Sequence, residues 1–235
     1  MNRDQNVDWD SDLIPPDPPE ESDDVINRRK ETVRHWTYLA EVEGGLDNAC
    51  FSFLYTDHFS IPSSFYPGKK ILDIGCGPRG TLEWAVMAEE RVGIDPLVDE
   101  FRALGIEGHH MRYVKGVGEN LPFHTDHFDV VSIFSVLPHT EDPEAVVREA
   151  CRVLKPGRYL LLITKANEAV SGVFTHAMSW DVVDLFQAQG LTLLELKHYE
   201  FRYGLYDSIR IGRAFDHTDP EERVGALSAK FQKRE

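Results

Sequence analysis

The 235-residue chain has only three cysteines, Cys50, Cys76 and Cys151, with no CxxC spacing. So few, and odd in number, they exclude a disulfide framework and a zinc knuckle. No run of eighteen apolar residues occurs, so no membrane span is expected, and the acidic start lacks the basic and apolar regions of a secretory leader. There is also no stretch of Lys and Arg interleaved with aromatics, and the formal net charge is −15. Such a chain repels the phosphate backbone that a nucleic-acid-binding protein must attract. His109-His110 and the pair His124 and His127 have no third ligand at helical or hairpin spacing, so no metal site is expected. These absences predict a reduced, cytoplasmic protein with neither a membrane nor a nucleic-acid partner.

What is present is an ordinary globular balance, with 42% apolar and 28% charged residues. The length suits one sizeable core with an appendage. The charge is uneven: between Met1 and Asp24 nine acids face the single Arg3, and Pro15, Pro16, Pro18 and Pro19 fall in the same stretch. Residues 1–21 therefore read as an acidic, Pro-rich, disordered tail. Residues 22–66 read as an N-terminal helical cap. Ser22 or Asp23 can cap a helix in which Val25, Ile26, Val33, Trp36, Leu39 and Ala40 recur at helical spacing until Gly44-Gly45 stops it. The aromatic stretch from Ala49 to Phe59 leaves helix and coil both open.

Past Pro67-Gly68 short β-rich runs alternate with helical segments, the signature of a parallel sheet with crossovers. Strands are expected at 70–74, 91–95, 111–115, 128–134, 158–164, 191–199 and 208–212, and helices at 80–88, 97–104, 143–153 and 180–189. Asp142 followed by Pro143 starts the third helix, and Lys155-Pro156-Gly157 ends it. The fold class expected for residues 67–235 is α/β, a Rossmann-like, doubly wound, mostly parallel seven-stranded sheet.

Asp73-Ile74-Gly75-Cys76-Gly77-Pro78-Arg79-Gly80 puts glycines directly after a buried strand. There they let the backbone turn tightly and let a ligand approach without a Cβ in the way. The spacing also satisfies GxGxxG, which fits a nicotinamide or flavin enzyme equally. Asp73 favours a different ligand, because a carboxylate there attracts an ammonium group and repels a pyrophosphate. The next strand ends at Asp95, followed by Pro96; a carboxylate at that place can accept both hydroxyls of a ribose or can cap the helix that follows. Arg79 can be a solvated residue at a helix start or a contact for an anionic substrate.

Four ordered blocks resemble the class I, Rossmann-like S-adenosylmethionine-dependent methyltransferases, and among them the small-molecule branch called methyltransferase 11. They are Leu72-Asp73-Ile74-Gly75-Cys76-Gly77, Gly93-Ile94-Asp95, Gly118-Glu119-Asn120-Leu121-Pro122-Phe123, and Phe128-Asp129-Val130-Val131 with 148–157. The resemblance implies that S-adenosylmethionine lies along Gly75, Cys76 and Gly77, with Asp73 at its amino end and Asp95 and Pro96 at its ribose. It implies that Val117, Gly118 and Glu119 run along the adenine edge, and that Phe134 and Ser135 flank the methionine part and the transferred methyl. Many relatives carry an acid where Val117 stands, which leaves the backbone N–H of Gly118 to serve adenine. An Asn-Pro-Pro-Tyr motif, the mark of methylation at an exocyclic base nitrogen, is absent; Ser135-Val136-Leu137-Pro138 stands there instead. The acceptor expected is a small molecule.

His139 stands where relatives place a polar residue facing the acceptor, and it reads either as a general base or as a loop tether. The aromatics Trp36, Phe51, Tyr55, Trp180 and Tyr203 can build an acceptor pocket or simply fill a core. Two other classes remain: a non-catalytic protein that keeps the cofactor fold for docking, and an NAD-dependent oxidoreductase, which would leave Asp73 unexplained and lacks a Tyr-xxx-Lys pair.

Overall fold

In the computed structural model, which describes residues 22–46, 48–171, 174–219 and 223–235, the apolar strand runs form one seven-stranded sheet. Its strands are β1 (Lys70–Ile74), β2 (Glu90–Asp95), β3 (Arg112–Lys115), β4 (Phe128–Phe134), β5 (Leu154–Ala166), β6 (Leu191–Glu200) and β7 (Gly225–Lys233). The order is β3-β2-β1-β4-β5-β7-β6, parallel except that β7 runs antiparallel between β5 and β6. The chain reverses its direction of strand addition between β1 and β4, the crevice in which open α/β sheets bind ligands at the carboxyl ends of their strands.

The period of two along each strand sorts side chains onto two faces. Leu72, Ile74, Val92, Ile94, Val131 and Ile133 face a core completed by α4 (Pro143–Val153) and α5 (Val183–Ala188). Ile71, Val130, Leu161 and Ile163 face the other, closed by α2 (Phe51–Tyr55), residues Phe59–Tyr66 and α6 (Leu205–Ile211). The aromatic stretch left open by the sequence is thus helix and 3-10 turn, with Phe51, Tyr55 and Phe59 sealed in the second core. Asp142 accepts from the Ala145 N–H at 3.0 Å and Pro143 takes the first helical place, which together set where α4 begins.

The N-terminal helix α1 (Asp23–Glu43) forms as expected, with Ser22 as N-cap and Gly44 in the left-handed conformation at φ 69°. None of its residues is buried. Val33 and Trp36 lean on a small cluster formed with α3 (Val98–Phe101), and Arg28 and Glu43 pair with Glu141 and Arg79. The acidic tail expected at residues 1–21 lies outside the described residues.

The structure corrects two elements. No helix forms at 80–88; Glu83, Ala85 and Ala88 instead donate to the carbonyls three residues back, giving successive tight turns. Thr81 is held by Asp73 and Glu83 by the N–H groups of His110 and Met111, so tertiary bonds set this segment in place of an internal helical ladder. The strand expected at 208–212 is the end of α6: Leu205 and Ile209 are buried at helical spacing, and Gly212 closes the helix at φ 70°. The seventh strand is β7, whose Gly, Ala, Ser and Lys content carries little strand propensity. It is a strand because β5 and β6 flank it and bury Ala226, Leu227, Ala229 and Phe231.

Candidate cofactor site

The turn after β1 is built around two glycines in the left-handed region, Gly75 at φ 67° and Gly77 at φ 57°. Gly75 donates to the Ile94 carbonyl at 2.7 Å, which locks the turn onto the end of β2. A Cβ at Gly75 would collide with Val136 from the loop after β4, and one at Gly77 would come within 3.0 Å of the Trp36 ring of α1. Both glycines are therefore demanded twice, by backbone conformation and by close approach. Cys76 turns its thiol inward against Gly93 and Met111, so what it offers the site is backbone.

Asp95 sits at the tip of β2, 8% exposed. One carboxylate oxygen accepts from the Gly77 N–H at 3.1 Å and the other from the Leu97 N–H at 2.9 Å. Burial drives its pKa up to about 6 against these two bonds. Asp95 thus binds the glycine turn to the start of the α3 segment, and each oxygen keeps a lone pair beyond the one its N–H occupies. Pro96 follows in the connecting turn.

Asp73 pairs in register with Ser132 on the second face of the sheet. It accepts from the Thr81 hydroxyl at 2.5 Å and the Ser132 hydroxyl at 2.7 Å, and the Tyr55 hydroxyl reaches Ser132 at 2.7 Å. Burial raises its pKa to about 6 and the hydroxyls pull the other way. Thr81 and Ser132 are the site residues that sequence reasoning missed; Tyr55, named there for an acceptor pocket or a core, instead brings its hydroxyl to this network. Only the pairing of Asp73 with Ser132 across β1 and β4 had a signal, in strand alternation; the contacts of Tyr55 and Thr81 are tertiary.

On the other side of the crevice Ser135 adopts φ 61°, a strained conformation for a serine, and donates its N–H to the Ile163 carbonyl at 2.7 Å. The Phe134 ring turns away into the second core, 5.0 Å from Tyr55. His139 ends a 3-10 turn, exposed, with its ring 4.8 Å from Phe174. Gly118 packs beside Ile74, and the Glu119 carboxylate accepts from the Glu141 N–H at 2.9 Å.

Across this edge lies α1. Glu43 forms a two-pronged pair with Arg79 at 2.7 and 2.8 Å, the Arg79 guanidinium stands 5.4 Å from the Trp36 ring, and Arg28 pairs with Glu141. Arg79 is neither at a helix start nor aimed at solvent; its guanidinium is held by α1. Of the other aromatics suggested for an acceptor pocket, Phe51 and Tyr55 belong to the core, Tyr203 is 90% exposed, and Trp180 stacks near His198 and Phe215. No group of three or more metal-ligating side chains occurs among the described residues, and no helix among them is long and apolar enough to cross a membrane.

Comparison with known proteins gives the same family that the four blocks suggest. Residues 72–162 match the model of a methyltransferase domain. A ubiquinone biosynthesis O-methyltransferase from Shewanella sp. (strain ANA-3) is 34% identical over 41% of this chain and 44% of its own length. A ubiquinone/menaquinone biosynthesis C-methyltransferase from Shewanella woodyi is 30% identical over 68% of this chain and 65% of its own. The chain therefore spans less than half of the first relative and just under two thirds of the second. Among solved structures, a geranyl diphosphate methyltransferase in complex with S-adenosylmethionine overlays with a TM-score of 0.57 at 16% identity, over 79% of this chain and 85% of that one, which shows a shared fold. Residues 72–162 thus form a methyltransferase domain, and the strand order is that of the Rossmann-like fold shared with solved S-adenosylmethionine-dependent methyltransferases.

Proposed function

We propose that the chain is an enzyme that binds S-adenosylmethionine at the carboxyl edge of β1, β2 and β4 and passes its methyl group to a small-molecule acceptor. The observation that carries this is the bond from the Gly77 N–H to Asp95, which sets two Cβ-less residues and a buried carboxylate side by side at the switch point of the sheet. The cofactor supplies a methyl already activated on a sulfonium, so no covalent intermediate with the protein is needed. The protein's tasks are to hold the two reactants in line and to exclude water.

In this reading Gly75, Cys76 and Gly77 present backbone to the cofactor, and the spare lone pairs of Asp95 take the ribose diol, with Pro96 fixing the chain that leaves it. Asp73, already engaged by Thr81 and Ser132, sets a negative field beneath the amino end. Gly118 and Glu119 lie along the adenine, and Ser135 and the backbone of Phe134 along the methionine part. His139, at the mouth of the β4 loop, is the candidate to take a proton from the acceptor. The other elements of the proposal are a cap at residues 22–66, a methyltransferase domain at 67–235, and a cytoplasmic enzyme without a nucleic-acid partner.

Isotope transfer tests it: the full chain with methyl-labelled S-adenosylmethionine and a small-molecule extract is expected to move label into the extract. Tight binding of S-adenosylhomocysteine with no transfer to any fraction would favour the non-catalytic reading.

A further inference from the structure

Four buried side-chain polar atoms among the described residues have no hydrogen-bond partner, namely Trp84 Nε1, Glu168 Oε2, His198 Nε2 and Arg223 Nε. Unsatisfied buried groups are rare and call for an explanation, such as a ligand. Arg223, which carries one of the four, lines a cavity of about 450 Å³ together with Glu200, Phe201, Arg202, Phe215 and Val224. Asn167, next to Glu168, donates to the Arg223 carbonyl at 3.4 Å, and His198 stacks 4.3 Å from Trp180, which in turn packs 4.7 Å from Phe215.

The cavity opens at the same edge of the sheet as the cofactor turn. Ala166 at the end of β5 and Glu200 at the end of β6 both pair with Gly225, the first residue of β7. A chain of aromatic contacts leads from it to the β4 loop: Phe201 lies 5.0 Å from Lys165 Nζ, which lies 5.1 Å from the Phe174 ring, which lies 4.8 Å from His139. Since β7 stands two strands from β4, the cavity is about 10 Å from the tip of β4, within the span of one small molecule.

We infer, resting on the methyl-transfer reading, that this cavity seats the acceptor and that the acceptor is an aromatic acid. The Phe201 and Phe215 rings line the cavity beside cations, with Lys165 Nζ 5.0 Å from the first and the Arg223 guanidinium 5.2 Å from the second, a lining that suits a planar ring bearing a negative group. Three guanidiniums, from Arg202, Arg213 and Arg223, converge on the single Glu200 carboxylate, which is 11% exposed. Arg223 also pairs with Asp219 at 3.1 Å, and Asp216 stands near it, exposed and bonded to Thr218; Lys165 is matched by Glu168 at 2.7 Å. Glu200, Asp216 and Asp219 match the three guanidiniums charge for charge, so the preference for an anion rests on the unpaired N–H in the wall and not on a net field. The orphaned donor in the wall, Arg223 Nε–H, needs an acceptor, and an anionic oxygen is the strongest one available.

The test uses the full chain saturated with S-adenosylhomocysteine and titrated calorimetrically with 2-naphthoate and, separately, its neutral amide. The acid is expected to bind at one site about tenfold or more tightly than the amide. Arg223→Gln is expected to remove that preference, and Phe215→Leu to weaken both ligands. Arg223→Lys keeps a cation for Asp219 but lacks the Nε–H, so it guards against mere misfolding: it too should lose most of the preference with an unchanged melting temperature. Equal binding of acid and amide, or wild-type acid affinity in both Arg223 variants, would overturn the inference while leaving the cofactor reading intact. Failure of the wild-type chain to bind S-adenosylhomocysteine would overturn the cofactor reading, and the acceptor role of the cavity with it.

Discussion

Replacing Asp95 separates two roles that the structure gives to one carboxylate. Its oxygens accept from Gly77 and Leu97, so Asp95→Ala strands two buried N–H groups. At about 1.5 to 3 kcal/mol for each bond to a charged acceptor, the loss is about 3 to 6 kcal/mol, a large part of a domain's usual 5 to 15. The Ala variant is therefore expected to be poorly folded and uninformative about ligands. Asp95→Asn is the decisive variant. Its amide oxygen keeps one N–H partner and its NH2 faces the other, a cost of about 1.5 to 3 kcal/mol, or a melting temperature lower by roughly 3 to 12 °C. If the spare lone pairs also hold a ribose diol, the same change removes the charge from the acceptor of those bonds. S-adenosylhomocysteine affinity at 20 °C, where the variant is still folded, should then fall about tenfold or more. Calorimetry with a parallel thermal melt reads both effects. A lower melting temperature with wild-type affinity would show that Asp95 only braces the turn.

Trp36→Ala, which uncovers Gly77, is expected to speed S-adenosylhomocysteine dissociation several-fold in stopped-flow fluorescence with little change in melting temperature, because α1 buries no residue; an unchanged off-rate would show that α1 does not cover the bound cofactor. His139→Ala should lower turnover at least tenfold at unchanged cofactor affinity, and unchanged turnover on an identified acceptor would leave His139 a loop residue. Asp73 and Asp95 both have pKa values raised to about 6 by burial, so the folded state favours their neutral forms. The stability these two groups contribute is complete below about pH 4 and is lost as pH rises through 6. Cofactor affinity runs the other way, since an ionised Asp95 is the better acceptor; it should climb between pH 5 and 7, and a flat profile by calorimetry would contradict the assignment.

Much of the frame is visible in the sequence because it rests on local chemistry. Glycines after an apolar strand, Asp142-Pro143 at a helix start and Gly44 at a helix end each specify a backbone conformation that few other residues supply. The two misplaced elements failed for non-local reasons. Residues 80–88 carry helix-forming composition, but Thr81 is drawn to Asp73 and Glu83 to the His110 and Met111 N–H groups, bonds no local pattern announces. Ser208-Ile209-Arg210-Ile211 alternates like a strand although its burial pairs Leu205 with Ile209, while β7 draws its strand character from β5 and β6. The site divides in the same way. Gly75, Gly77 and Asp95 follow from spacing, whereas the Tyr55 hydroxyl near Asp73 and the seat of Trp36 over Gly77 exist only once α1 and α2 have packed, and Thr81 meets Asp73 through the turns at 80–88.

The most direct test of the central claim is a calorimetric titration of the full chain with S-adenosylhomocysteine and, separately, with NAD. The structure predicts saturable one-to-one binding of the first and none of the second, because a nucleoside bearing an amino acid suits Asp73 and Asp95 where a pyrophosphate would meet the Asp73 carboxylate. Binding of NAD without binding of S-adenosylhomocysteine would contradict it.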